Sequence, residues 1–240
     1  MIASSLIIVV FALYTKEASF VDAVIEGGQI FIASFLAWAL ARELDPDRVS
    51  RAYLAQGMLI LIWLYGGPLH TLSSSIVLLS SRYISQITGK KWTRRDRYIL
   101  LATSIGFMLY FQTPVFGTFA FLSFAANAYL EKTPKLTIPS VTAIVLSLAY
   151  SFTVWHPEPG ENSSLEILFL LLVGILTVLR IMQLKNVESL TDNHGLPIQA
   201  NRLKAALLLA LLLPVVSVGY FAGEINQFWL LLIALAASAV

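Results

Sequence analysis

The chain has 240 residues, of which 58% are hydrophobic and only 12% charged, and its formal net charge is +2. Soluble domains carry about 25% charged residues, and a mean hydropathy of +0.77 describes more apolar surface than a water-soluble fold of this size can hide. The absence of cysteine excludes disulfides, thiolate metal sites, Fe–S clusters and cysteine nucleophiles. The lack of a separate basic domain argues against a nucleic-acid partner.

Continuous apolar runs separated by polar breaks predict an all-α, polytopic transmembrane helical bundle forming a single integral-membrane domain over 1–240. Ten segments are expected, near 2–14, 20–41, 52–66, 69–87, 98–111, 114–130, 138–155, 165–183, 203–221 and 225–240. The first has no basic flank and no small-residue cleavage site, so it reads as a retained segment rather than a signal peptide. Several are shorter than the roughly 20 residues a crossing needs. Pairs such as 98–130, turning at "QTP", are therefore candidates for re-entrant hairpins.

Charge supports the count. With alternating crossings one side receives 42–51, 82–97, 131–137 and 180–204, whose Lys and Arg number 3, 6, 2 and 4, or 15 of the chain's 16. The positive-inside rule makes these loops cytoplasmic. An even count then places both termini in the cytoplasm, and a prokaryotic location would be the inner membrane. The lipid bilayer is the implied partner, and membrane-protein partners or a homo-oligomer are compatible with loops too short for a soluble domain.

Two constellations are candidates for chemistry. In "FVDAVIEGGQIF", Asp22, Glu26 and Gln29 are spaced four and three apart and share one helical face. Acids in an apolar segment usually face a bundle interior or wet cavity and mark a path for ions or solutes, so these three are transport candidates. At the end of the second segment, "RELDPDR" gathers Glu43, Asp45 and Asp47 around Pro46. A proline-forced turn could converge three carboxylates on a hard cation such as Mg²⁺. Arg42, Arg48 and Arg51, with Arg82, Arg94 and Arg95 from the next basic loop, would then be anion-binding candidates. The plainer reading is a polar loop, with Asp47 capping the next helix and the arginines in lipid headgroups. Membrane prenyltransferases of the UbiA type carry an aspartate-rich motif at this position, with acids about four apart. The spacing of two and the proline here do not match it.

His70, His156 and His194 stand in separate loops without metal-ligand spacing. A small-solute or ion transporter is the leading expectation. A membrane-embedded lipid- or prenyl-transfer enzyme with a cytoplasmic acidic metal site is the second, and a non-catalytic membrane subunit the third.

Overall fold

A computed structural model describes residues 19–64, 71–87, 92–132, 137–153, 162–191, 195–220 and 228–239. The expected first segment (2–14) and all three histidines lie outside the described residues. Nine helices are present among those described: α1 (Phe20–Leu44), α2 (Val49–Leu64), α3 (Thr71–Ser85), α4 (Arg94–Tyr110), α5 (Val115–Leu130), α6 (Ile138–Thr153), α7 (Ser164–Gln183), α8 (Ala200–Tyr220) and α9 (Trp229–Ala239). No strand occurs among the described residues, only an isolated antiparallel bridge between Leu190 and Pro197 in the loop before α8.

Local chemistry sets the helix ends. Ser19 caps α1, its hydroxyl accepting from the Asp22 amide at 3.2 Å. Full capping boxes start α4 (Thr93 with Asp96) and α7 (Ser163 with Glu166), each satisfying two backbone donors. Pro46 disfavours helix at the residue before it, and α1 stops with Asp45 at φ −142°. Gln86, Gln112 and Lys132 take the left-handed conformation just after α3, α4 and α5, the position where a chain leaving a helix usually employs glycine.

Among the described residues three helices, α1, α7 and α8, are long and apolar enough to cross a membrane, not the ten segments that the apolar runs predict. The reason is length. A 16-residue helix such as α2 spans about 24 Å, short of a hydrocarbon core of about 30 Å. The 11-residue α9 reaches only about 17 Å.

Helix α9 is the hub. It packs against α1, α2, α7, α3 and α8, and its stretch from Leu230 to Ser238 is buried on every side. A helix apolar all round has no face to offer water, and "WLLLIALAASA" is such a sequence. Helix α3 packs against α1, α4, α5, α8 and α9 through a serine-rich surface that includes buried Ser73, Ser74, Ser80 and Ser81. Small side chains let helix backbones approach closely. Gly117 on α5 does the same at a crossing: a Cβ there would lie 3.1 Å from the Ser147 Cβ and 3.3 Å from the Met108 Sδ.

The exterior is apolar. Helix α7 buries Leu170, Val173 and Thr177 along one stripe and turns Leu168, Leu171, Leu172 and Ile175 outward. Exposed apolar surface on this scale marks a membrane or protein–protein contact.

Candidate functional site

The turn between α1 and α2 holds a buried charge cluster. Asp45 is completely buried. Its Oδ2 accepts from Arg51 Nη1 at 2.5 Å and its Oδ1 accepts from Arg180 Nη2 at 3.0 Å. Arg51 Nη1 also donates to the Ser238 carbonyl at 2.8 Å. That carbonyl is in the last turn of α9, where helix carbonyls lack intrahelical partners and the dipole favours a cation. One carboxylate and two guanidiniums thus join the α1–α2 turn, the start of α2 and the ends of α7 and α9.

The neighbouring acids are held apart from Asp45. Glu43 accepts from Ser85 Oγ at 2.5 Å and forms an ion pair with Arg82 Nε at 3.5 Å, linking α1 to the end of α3. Asp47 Oδ1 accepts from the Ser189 amide at 2.7 Å in the loop that precedes α8. Burial works to raise the Asp47 carboxyl. The Ser189 side-chain and backbone hydrogen bonds, the Glu188 backbone and the Arg180 charge outweigh it and hold the group below its ordinary value.

A second node lies beyond α3. Arg202 on α8 is buried and donates through Nη1 to the Ile84 carbonyl and to Asn127 Oδ1, both at 3.0 Å. Glu131 stands 4.0 Å from its Nη2. Asn127 Nδ2 donates to the Tyr83 hydroxyl at 3.3 Å, and the Tyr83 ring meets Trp92 and Phe124 edge to face. Like Arg51 at α9, Arg202 satisfies a last-turn carbonyl, here of α3.

These contacts change the reading of "RELDPDR". Glu43, Asp45 and Asp47 go to three different partner sets instead of converging, because the proline turn points them at α3, at the two arginines and at the loop. Among the described residues no group of three acids or histidines could hold a metal, so the expected Mg²⁺ trio does not form there. The arginines do not share one anion site either. Arg51 is committed to Asp45 and α9, and Arg82 to Glu43. Arg42 lies 5.5 Å over the Trp38 ring, and Arg48 and Arg95 are exposed. Arg94 lies 5.8 Å over the Tyr98 ring.

The other constellation faces outward. Asp22 and Gln29 are exposed and Glu26 is half-buried, beside exposed Val21, Ile25 and Ile32. Asp22 belongs to the α1 cap, accepting from Ser19 Oγ at 2.6 Å. The shared face predicted by the spacing is present, but it lies on the outside of the described bundle rather than along an interior path.

Arg180, Arg202, Asn127 and Ser238 were not predicted as site residues. The one signal for the arginines was a cation ending or starting a long apolar run, which orientation alone explains. Fold and site define, among the described residues, an all-helical protein with three helices long and apolar enough to cross a membrane and buried ion clusters at its helix ends. No protein-family model matches the chain, and no curated protein and no solved structure matches it.

Proposed function

We propose that the chain is a polytopic membrane protein with ten segments and both termini cytoplasmic, and that it works as a small-solute or ion permease closed at its cytoplasmic end by the Asp45–Arg51–Arg180 cluster. The observation that carries this reading is the burial of one carboxylate between guanidiniums from two different helices. Such a cluster stabilises no better than packed apolar side chains would, and its best-attested use is to set register or to switch. Ionisable groups buried in a membrane bundle mark function by default. Opening would separate α7 from the α1–α2 turn and break the Arg180 arm.

The cysteine-free chain makes the test clean. Spin labels at Arg48→Cys and Lys185→Cys, both exposed, report the distance between the α1–α2 turn and the loop after α7 in proteoliposomes. Two distance populations are expected, with the ratio moved by Arg180→Gln. One narrow population that ignores this substitution overturns the gate. Membrane-impermeant maleimide should label Asn162→Cys from outside and Lys185→Cys only after permeabilisation; the reverse pattern overturns the orientation.

The outward Gln29 on α1 supports a second reading, a non-catalytic subunit whose α1 meets another membrane helix, since a polar side chain in lipid seeks a partner. Stoichiometric co-purification lost in Gln29→Leu would favour it. The lipid-transfer reading is weakened by the commitment of Glu43 and Asp45 to arginines, and a Mg²⁺-dependent thermal shift would revive it.

A further inference from the structure

The N-terminal ends of α4 and α6 enclose an open cleft of about 380 Å³, lined by Arg94, Arg97 and Tyr98 from α4 and by Thr137, Ile138 and Pro139 from the start of α6. Arg97 is half-buried and its Nε is buried without a hydrogen-bond partner. Arg94 lies over the Tyr98 ring at 5.8 Å, and no ion pair to either arginine occurs among the described residues. The adjacent acid, Asp96, turns its carboxylate back to the Thr93 amide and hydroxyl, both at 2.8 Å, within the α4 cap.

The α4 N-terminus is already met by the Asp96 carboxylate, whereas α6, of 16 residues, has no acid in its first turn and directs the positive end of its dipole toward this end of the bundle. A buried N–H without an acceptor is costly, and an anion entering the cleft offers one. The planar fork of arginine matches phosphate oxygens. Immediately outside the arginines the surface turns apolar: Ile138 is 67% exposed and Val141 45%, a surface suited to acyl chains. Basic clefts between helices at the cytoplasmic face are where lipid headgroups bind.

We propose that the cleft between α4 and α6 is a phosphate-binding site, taking the phosphate of an anionic phospholipid headgroup or of a soluble phosphate ester. Arg97 is the half-buried inner anchor, Arg94 the outer clamp, and the start of α6 forms the opposite wall. This site is separate from the Asp45 cluster and does not depend on the permease reading.

The test uses the full chain in detergent with three probes: dioctanoyl phosphatidic acid, the zwitterionic dioctanoyl phosphatidylcholine and inorganic phosphate, followed by native mass spectrometry and thermal shift. Phosphatidic acid should bind and raise Tm, and Arg97→Gln should weaken binding at least about tenfold, the loss of one charge-assisted contact. Arg95→Gln, an equal charge change outside the cleft, should leave binding intact. Binding of inorganic phosphate as tight as that of phosphatidic acid identifies a soluble ester; binding of phosphatidic acid alone identifies a lipid. Equal loss in Arg97→Gln and Arg95→Gln, equal binding of phosphatidylcholine, or no binding of any phosphate probe overturns the site. If Arg97→Gln lowers the Tm of the free protein, Arg94→Gln at the exposed rim carries the same comparison.

Discussion

Replacing Asp45 by Asn removes the one negative charge between Arg51 and Arg180. Asp45 is fully buried and the two arginine side chains are only 9% and 14% exposed, so water restores little of the lost interaction. Breaking a buried ion pair by removing one partner costs about 3–5 kcal/mol, and here two guanidiniums close enough to repel each other are left behind. Arg180→Gln alone leaves the Arg51 arm in place and should cost less, about 1.5–3 kcal/mol, the range for a hydrogen bond to a charged group. In the double variant the Arg180 substitution should be nearly neutral, because the carboxylate it served is gone and its repulsion of Arg51 goes with it. The expected coupling is therefore about 1.5–3 kcal/mol. Equilibrium unfolding in mixed micelles, titrated with SDS, measures all four corners of the cycle. Costs that add within about 0.5 kcal/mol, the ordinary error for independent sites, would falsify the shared-carboxylate geometry. So would an Asp45→Asn cost below about 1 kcal/mol, the value typical of a solvent-screened pair.

Three other outcomes follow from single contacts. Gly117→Ala should destabilise by about 1–3 kcal/mol, the usual cost of overpacking. Ser147 cannot easily retreat, since its hydroxyl donates to the Pro114 carbonyl at 2.7 Å and lies 2.8 Å from Thr118 Oγ1; a Tm equal to that of the parent chain would show that the α5–α6 crossing is looser. Gln112→Gly should raise stability by up to about 1 kcal/mol, because Gln112 sits at φ 51° where a Cβ is penalised; a lowered Tm would contradict that backbone conformation. Asp47, whose carboxyl is held below its ordinary value of 3.8, contributes stability that is fully present above that value and is lost as pH falls below it toward its lowered folded pKa. Asp47→Asn should accordingly flatten the acid limb of a Tm-against-pH profile between pH 5 and 2, and an unchanged limb would assign the acid loss to other groups.

The parts of this protein that depend on neighbours in sequence were legible without a structure. Apolar runs predicted helices at 20–41, 52–66 and 203–221, and Phe20–Leu44, Val49–Leu64 and Ala200–Tyr220 occupy those places. Pro46 and the "QTP" turn stop helices for reasons that act within a few residues. The spacing of Asp22, Glu26 and Gln29 determined that they share a face, because helical geometry alone decides it. Which way that face points depends on which other helices pack against α1, and periodicity holds no such information when a helix is apolar nearly all round.

Only the tertiary structure decided which helices lie inside and where the charges go. The run at 225–240 reads as a last membrane segment on its apolar residues alone; that its helix α9 packs against five other helices and is buried from Leu230 to Ser238 is a property of the assembled bundle. In "RELDPDR" the sequence determined the turn and its concentration of opposite charge. It could not determine that Asp45 meets Arg180, 135 residues away, or that Arg51 meets Ser238, 187 residues away. Carboxylates two apart can gather a metal or disperse to separate cations with equal local geometry. The choice falls to whichever partners the packed helices bring within reach, and here α7 and α3 deliver arginines.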